Sequence, residues 1–359
     1  MNGPLFSLRD VTLPASGGRQ SPDCASDAVA KHNQGTDVPR SLGARLNSIM
    51  LEIQAGTTAV VGLSGAGKSS LLNVLAGFET QFSGELKTHF QGDAGNCLPL
   101  FWVPQSGGLW PHMSAEQHLD VVCGEVPQNA KSQTESRRFS KRTDELLSLF
   151  DLNHRRQAFP AELSQGERSR LALSRALGSR AKVLLLDEPL SHVDPVRKPA
   201  YWKIVRQVVA EENISMVFTC HEPETVLRHA SHLICLEAGA VAYDGPVRTL
   251  YDNPPNAEIG EFLGPLNWFT IHEAATLLAD CADLADPAIR PERLQIQISA
   301  DSPIEFVSQS FAGLYAESMV RHRIYGVAKS VLHQVSHRAP RPGDSVTICV
   351  LPRSGANSR

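Results

Sequence analysis

Short apolar runs recur along the first two thirds of the chain. They occupy residues 58–61, 100–103, 183–186 and 214–219. Apolar residues at helical spacing lie between them, for example over 168–177, where leucine and alanine are separated by arginine. Continuous apolar runs are typical of strands that are buried on both faces of a parallel sheet. The pattern therefore predicts an α/β domain built on such a sheet.

Different patterns occur elsewhere in the same region. Residues 5–13 and 49–53 have strand character, whereas 14–44 are rich in Gly, Ser, Asp, Pro and Gln and predict a long irregular insertion. Polar sequence with helical spacing over 110–159 predicts a helical subdomain, which we place at 106–180 within the α/β domain.

A domain boundary is predicted near residue 255, because Gly-Pro at 245–246 and Pro-Pro at 254–255 interrupt the chain. It gives an α/β domain over 1–255, ending in a hairpin around Gly239, and a second domain over 256–359. The second domain contains an alternating run at 294–298 and a final apolar run at 346–350. These runs favour a small, mainly-β barrel.

Composition limits the kind of partner that the chain can bind. The 359 residues include 34 Lys and Arg against 38 Asp and Glu, so the chain lacks the cationic excess typical of nucleic-acid binding. We expect no nucleic-acid partner and interpret the basic cluster at 137–142 as a solvated helix face. No apolar stretch approaches the ~18 residues that span a bilayer, and no signal pattern opens the sequence, which predicts a cytoplasmic protein. The 7 scattered cysteines are typical of reduced, structural thiols.

A glycine-rich loop connects the apolar run 58–61 to a helical segment. Its sequence over 62–69, Gly-Leu-Ser-Gly-Ala-Gly-Lys-Ser, fits the pattern G-x-x-x-x-G-K-[ST]. The glycines let backbone N–H groups turn toward a phosphate, the lysine reaches the outer oxygens, and the hydroxyl binds magnesium. The positive end of the helix dipole acts on the same anion. The predicted phosphate site consists of Gly62, Ser64, Gly65, Ala66, Gly67, Lys68, Ser69 and Ser70.

Chemically active side chains follow three more of the predicted strands. Gln105 comes after the run 100–103, Asp187 and Glu188 come directly after 183–186, and His221 comes after 214–219. Ligands of open α/β sheets bind beyond the carboxyl ends of the strands, where the glycine-rich loop also lies. A nucleotide site with such a loop needs an acid at this place. We therefore expect these side chains at the same edge as the loop.

With these residues in this order, the chain resembles the ATP-binding subunits of ABC transporters over residues 1–255. The resemblance rests on the glycine-rich loop, Gln105, a signature sequence Leu-Ser-Gln-Gly-Glu at 163–167, the Asp-Glu pair, and His221. Residues 191–194 are similar to the family's D-loop. The phrase Ile-Arg-Pro-Glu at 289–292 resembles the oligonucleotide-binding-like (TOBE) domain of importer ATPases for sugars, molybdate, iron or polyamines.

The resemblance implies a site that two copies share. In the family, two subunits face each other head to tail, and each ATP lies between the loop of one and the signature of the other. Water then attacks the γ-phosphate in line. Ser164 and Gly166 would act in trans, and Asp194 would join the nucleotide-binding residues. Lys68 would hold the phosphates, Ser69, Gln105 and Asp187 the Mg²⁺ ion, Glu188 would be the general base, and His221 would contact the γ-phosphate.

Two departures from the family pattern affect these expectations. The usual signature is Leu-Ser-Gly-Gly-Gln, and here Gln165 and Glu167 replace two of its residues but spare the serine and the glycine closest to phosphate. The family also stacks an aromatic side chain on adenine soon after the first strand, yet residues 12–77 contain no Phe, Tyr or Trp. Only His32, within the insertion, offers a ring there. Stacking on a base is worth about 1–3 kcal/mol, so we expect weak ATP affinity or weak discrimination among nucleotides, unless a residue of the insertion or of the partner subunit substitutes.

The sequence therefore predicts the ATP-hydrolysing subunit of an ABC importer, working as a homodimer on the inner face of the membrane. Its partners would be separate permease subunits and, through them, a solute-binding protein. A competing function is that of a soluble ABC ATPase acting on nucleic acid or ribosomes, which would usually carry two cassettes or a long coiled-coil insertion. A regulatory cassette with little turnover is a second competitor, and an exporter, within the transporter class, is a third. The cargo is not encoded in this chain, because the cassette does not touch it.

Overall fold

The computed structural model of the protein describes residues 3–15, 44–90, 98–123, 141–279, 288–335 and 339–352. Most of the predicted insertion at 14–44 and of the basic cluster at 137–142 lies outside the described residues. The chain forms two compact units, Met1–Asp244 and Gly245–Arg359. Every helix in the described part of the chain is too short or too polar to cross a membrane.

Strands and helices alternate in the first unit as the sequence predicts. Its strands are β1 (Pro4–Leu13), β2 (Leu46–Gln54), β3 (Thr57–Val61), β4 (Ser83–Thr88), β5 (Leu100–Val103), β6 (Val183–Leu186), β7 (Ser215–Thr219), β8 (His232–Glu237) and β9 (Ala240–Pro246). Its helices are α1 (Lys68–Leu75), α2 (Ala115–Val122), α3 (Lys141–Leu149), α4 (Gln165–Gly178), α5 (Lys198–Glu211) and α6 (Pro223–His229). The apolar runs at 58–61, 100–103, 183–186 and 214–219 coincide with β3, β5, β6 and β7.

A six-stranded sheet with the order β5-β6-β7-β3-β8-β9 forms the centre of this unit. The pairs from β5 to β8 are parallel, and every residue of β6 and β7 is buried. This burial on both faces explains why the strands have continuous apolar sequences. Ala238 and Gly239 join β8 to β9 with φ values of 46° and 82°, as a two-residue turn between strands requires.

A second sheet covers the far side of α1. It is antiparallel, with the order β2-β1-β4. Leu71 and Leu75 of α1 share one hydrophobic cluster with Phe6 of β1, Ile53 of β2 and Val217 of β7. The helix that follows the glycine-rich loop is therefore packed between two sheets, which fixes the position of its N-terminus.

The helices α2, α3 and α4 pack against one another within the segment predicted as a helical subdomain. Gly178 lies where they meet. A Cβ atom at this position would be 3.1 Å from Leu146 Cδ1 and 3.2 Å from Cys123 Sγ, closer than most real contacts. Glycine at the end of α4 thus permits the close approach of the three helices.

The second unit is mainly β, as the sequence predicts. Its strands are β10 (Asn267–Trp268), β11 (Ala288–Ile289), β12 (Leu294–Ile298), β13 (Ile304–Phe311), β14 (Tyr315–His322), β15 (Ala328–Gln334) and β16 (Val346–Val350). Its helices are α7 (Val247–Asp252), α8 (Ala257–Glu261) and α9 (Ile271–Leu277). β12 pairs with β16, while β13, β14 and β15 form an antiparallel sheet. The two sheets share one core, with Phe306, Val320 and Ile348 fully or nearly fully buried.

Arg290 connects this β structure to the helices that precede it. The residue is 4% exposed, and its guanidinium donates to the carbonyl oxygens of Tyr251, Gly260, Gly264 and Pro265. Burial lowers the pKa of Arg290, partly offset by the nearby Tyr251 and Glu292. These bonds hold α7 and α8 to the second unit, and the boundary predicted at 255 falls between those two helices.

Candidate functional site

The glycine-rich loop leaves β3 and enters α1 through positions that only glycine can occupy. Gly62 has a φ of 151°, and a Cβ there would lie 2.3 Å from the Leu236 carbonyl oxygen. Gly67, at the N-cap of α1, has a φ of 103°, and its Cβ would lie 2.6 Å from the Arg45 carbonyl oxygen. Any side chain would displace the neighbouring backbone. The glycines therefore keep the loop close against β8 and the start of β2.

Lys68 lies beneath this loop as the first residue of α1. Its Nζ donates to the carbonyl oxygens of Gly62 at 2.8 Å and Leu63 at 3.1 Å, and the residue is buried. Burial lowers the pKa of Lys68, while the charges of Glu188 and Asp187 oppose that effect. The first turn of α1 carries no acidic residue, so its N-terminus keeps the positive potential that attracts an anion.

Asp187 and Glu188 extend from the carboxyl end of β6 beside the end of β7. Thr219, the last residue of β7, donates its hydroxyl to Asp187 Oδ1 at 2.7 Å and accepts the backbone N–H of Glu188 at 2.8 Å. Asp187 and Thr219 are both buried. One threonine hydroxyl therefore fixes the direction in which the two acidic residues leave the strand.

Glu188 is held by side chains from two neighbouring strand ends. Gln105 Nε2 donates to Glu188 Oε2 over 3.2 Å, and His221 Nε2 lies 2.9 Å from Oε1. The backbone of Glu188 has a φ of 51°, in the left-handed region that residues with a Cβ seldom adopt. Such strain costs about 1–3 kcal/mol and is common at functional sites. The structure thus brings Gln105, Glu188 and His221 together, as the sequence predicts.

The signature sequence forms the start of α4. Ser164 is its N-cap: the hydroxyl accepts the N–H of Glu167, and the Glu167 carboxylate accepts the N–H of Ser164. Glu167 also accepts from Arg155 Nε at 3.1 Å. Although burial acts to raise it, the hydrogen bonds from Ser164 and Arg155 lower the pKa of Glu167 to about 2. Glu167, where the family usually has glutamine, is therefore an ionised cap that orients Ser164.

Gly166 and the predicted D-loop are neighbours. A Cβ at Gly166 would lie 3.1 Å from the His192 carbonyl oxygen. Asp194, in the same loop, accepts the N–H of Val196 with Oδ1 at 2.8 Å and is exposed. The predicted residues thus form two groups: one at the strand ends around Glu188, and one around the N-terminus of α4.

Comparison with known proteins identifies the family. A family model described as "ABC transporter" matches residues 46–191. The Fe(3+) ions import ATP-binding protein FbpC of Serratia marcescens is 31% identical over 332 residues, which cover 85% of this chain and 92% of that protein. The chain belongs to the ABC transporter family. It is an ATP-hydrolysing cassette of that family, which confirms the predicted enzyme class.

Further relatives and solved structures of the ABC family agree with this assignment. The sulfate/thiosulfate import ATP-binding protein CysA of Burkholderia pseudomallei is 32% identical over 330 residues, covering 87% of this chain and 86% of that protein. A dimeric bacterial ABC transporter cassette has a TM-score of 0.51 at 21% identity, covering 68% of this chain and 99% of that chain. Such structures confirm the predicted fold, a cassette of the P-loop class.

The cassette uses supporting residues that the sequence analysis did not single out. The sequence gives one indication for Thr219, its position at the end of the strand that precedes His221. Nothing in the sequence predicts its hydrogen bonds to Asp187 and Glu188. Arg155 ends a short 3₁₀ helix (Asn153–Arg155), and no local pattern connects it to Glu167. Near the loop, Arg45 donates to Glu79 at 2.6 Å and to the Pro14 carbonyl at 3.1 Å. No aromatic residue occurs over the described residues 44–77 of the cassette.

Proposed function

We propose that two copies of this chain bind ATP between them and power solute import through separate membrane-spanning subunits, on the inner face of the membrane. The names of the relatives support import, because both FbpC and CysA are described as import ATP-binding proteins. The neighbouring fold described as dimeric supports the pairing of two cassettes. A solute-binding protein would reach the assembly only through the permease.

The observation that carries this proposal is the arrangement around Glu188. Its side chain is 21% exposed and lies at the sheet edge where Lys68 and the glycine-rich loop meet. A carboxylate that is both fixed and open to solvent can accept a proton from a water molecule. We assign Glu188 as the general base, with Gln105 and His221 holding its two oxygens until nucleotide binds.

The phosphates of ATP would bind to the loop and to Lys68. Gly62, Gly65 and Gly67 adopt positive φ values, which allow successive N–H groups to face one anion. Lys68 already donates to loop carbonyl oxygens, so its ammonium can transfer to phosphate oxygens without leaving its buried position. Ser64, Ala66, Ser69 and Ser70 complete this part of the proposed site.

The oxygen donors beside Lys68 fit a magnesium ion. Mg²⁺ prefers hard oxygen ligands and is usually bound by one or two carboxylates together with substrate phosphates. Asp187 supplies a carboxylate that Thr219 orients, and Ser69 and Gln105 supply a hydroxyl and an amide oxygen. We propose that Asp187, Ser69 and Gln105 hold Mg²⁺, which would neutralise charge on the phosphates. Lys68 and His221 would stabilise the charge that develops on the transferred phosphoryl group.

The signature would act on the ATP held by the opposite copy. The Ser164 hydroxyl accepts one hydrogen bond from Glu167, which leaves its own O–H free to donate to a phosphate oxygen. Gly166 lies next to the loop that contains Asp194. Both residues would complete the surface that faces the ATP of the opposite copy. The two relatives are named for different cargoes at nearly equal identity, 31% and 32%. This fits a cassette that supplies energy while the membrane subunits select the solute.

Purification of the tagged chain from its native membranes in mild detergent tests the proposal. We expect a polytopic permease to co-purify with it and the complex to hydrolyse ATP. The variant Glu188→Gln serves as a control, because it should bring down the same permease without turnover. Recovery of ribosomal or nucleic-acid partners, with no membrane protein, would instead favour a soluble ABC ATPase.

A further inference from the structure

A cavity of about 430 Å³ lies between α5 and α6, next to the proposed active site. His221 is among its lining residues, with Pro199 and Trp202 of α5 and His229 of α6. The His221 side chain is 49% exposed. The imidazole is therefore not enclosed by packed side chains and has space in which to leave Glu188.

Unlike its side chain, the backbone of His221 is held in place by contacts of the residues directly before and after it. Before it, Cys220 Sγ accepts the N–H of Glu222 at 3.3 Å and closes a tight turn. After it, the two oxygens of Glu222 are both engaged: Lys198 Nζ pairs with Oε1, and Thr225 Oγ1 donates to Oε2 at 2.9 Å. Burial acts to raise the pKa of Glu222, but the bonds from Lys198 and Thr225 lower it, so the carboxylate is ionised at neutral pH.

Lys198 joins this turn to the predicted D-loop. It is the first residue of α5, and its side chain is only 12% exposed. Its backbone N–H donates to the Asp194 carbonyl oxygen at 3.1 Å. Lys198 thus makes two contacts. Its backbone N–H bonds to Asp194 in the predicted D-loop, and its side chain pairs with Glu222, which is next to His221.

We propose that Lys198 and Glu222 are positioning residues, which fix the backbone of His221 and tie it to the loop of Asp194. The inference rests on the proposed role of His221 at the γ-phosphate. If a second copy contacts Asp194, a displacement of that loop moves Lys198 and, through its ion pair with Glu222, the backbone of His221. The pair acts on turnover and not on ATP binding, because neither residue belongs to the phosphate loop.

The test compares variants of the full-length chain by ATP turnover and by ATP binding. Lys198→Met keeps the length of the side chain and removes its charge, and Glu222→Gln keeps its shape. We expect either change to lower kcat by roughly 10- to 100-fold, the effect of misplacing a catalytic group, while the Kd for ATP changes less than about twofold. Lys198→Arg keeps the charge and should retain most of the activity. Loss of ATP binding together with a lower Tm would show a merely structural role.

Combined variants decide whether the pair acts through His221. In a His221→Ala background, Lys198→Met should lower kcat no further, and the double variant Lys198→Met/Glu222→Gln should be no worse than either single variant. Effects that multiply would overturn the inference. Arg248→Met is the matched control, because it breaks the exposed ion pair of Arg248 with Asp252 on α7 and should leave kcat unchanged.

The same variants distinguish a failure of this inference from a failure of the proposed function. If His221→Ala hydrolyses ATP at the full rate, the proposed role of His221 is wrong and the inference falls with it. If His221→Ala loses turnover while Lys198→Met and Glu222→Gln retain it, the proposed function stands and only the positioning role is wrong.

Discussion

Thr219 links the two acidic residues of the site, and its replacement by valine measures that link. The hydroxyl donates to Asp187 and accepts the N–H of Glu188, and the residue has 0% exposure. Valine has nearly the same shape, so Thr219→Val removes both hydrogen bonds and leaves little cavity. The Glu188 N–H then lacks its acceptor inside the protein.

The expected loss follows from these two bonds. A hydrogen bond to a charged group contributes about 1.5–3 kcal/mol, and a buried donor without an acceptor costs about 1–3 kcal/mol. Because both terms involve one hydroxyl, they overlap, and we expect a loss of about 3 kcal/mol in the free energy of unfolding. For a unit of this size that corresponds to a fall in Tm of about 6–12 °C. Turnover should fall by roughly 10- to 100-fold, since the Asp187 carboxylate loses the hydrogen bond that orients it and the backbone of Glu188 loses its acceptor.

Thermal unfolding and steady-state ATP hydrolysis test this expectation together. Thr143→Val is the matched control: Thr143 is also fully buried and donates to a carboxylate, Asp120, at 2.9 Å, but on α3 and away from the strand ends. We expect this control to lose stability and keep its kcat. If Thr219→Val loses stability but hydrolyses ATP at the full rate, Thr219 has only a structural role. An unchanged Tm would refute the assigned hydrogen bonds.

Four further predictions concern the base, the nucleotide, the second unit and a half-buried histidine. Glu188→Gln should bind ATP with normal Kd yet lose turnover by about 100-fold or more, since it keeps the shape and removes the base; retained hydrolysis would assign the base elsewhere. ATP and GTP should bind with similar Kd in equilibrium titrations, because residues 12–77 contain no Phe, Tyr or Trp to stack on adenine; a strong ATP preference would contradict this. Arg290→Met should lower the stability of the second unit by about 3–5 kcal/mol in calorimetry, since buried carbonyl oxygens lose their donor; an unchanged transition would refute that role. Burial lowers the pKa of His229 to about 4, so the folded state binds fewer protons than the unfolded chain between about pH 4 and its ordinary value of 6.5. Stability should therefore fall as the pH falls through that window, and His229→Phe should reduce the slope.

Much of the fold could be predicted because its signals are local. The runs at β3, β5, β6 and β7 are apolar along most or all of their length, and β6 and β7 are buried on both faces of the parallel sheet. The glycine-rich loop is equally local, because positive φ values at Gly62 and Gly67 require a particular residue type. The attachment of α7 and α8 within the second unit is less local: it depends on Arg290, which lies 30 to 39 positions after the helix residues that it holds.

The support of the site is also nonlocal. Thr219 contacts acids that precede it by 31 and 32 positions, and Lys198 contacts Glu222 over 24 positions. A threonine at a strand end or a lysine at a helix start is common in any α/β protein, so sequence pattern alone gives neither residue a role. The pairing of β6 with β7 brings Thr219 to the two acidic residues, and the packing of the start of α5 beside the segment after β7 brings Lys198 to Glu222.

The residues that we propose act on ATP come from the motifs. Thr219, Arg155 and Lys198, which contact residues in or beside those motifs, lie outside or at the margins of them. Two cassettes with the same loop, acidic pair and histidine can therefore differ in turnover through these supports alone. Exchange of Glu167 for the usual glutamine illustrates the point: the capping bonds to Ser164 could persist, but the charge that pairs with Arg155 would be lost. If Glu167→Gln and Arg155→Met each slow turnover and their combination is no slower, this ion pair orients the signature serine. If neither has an effect, the cap alone suffices.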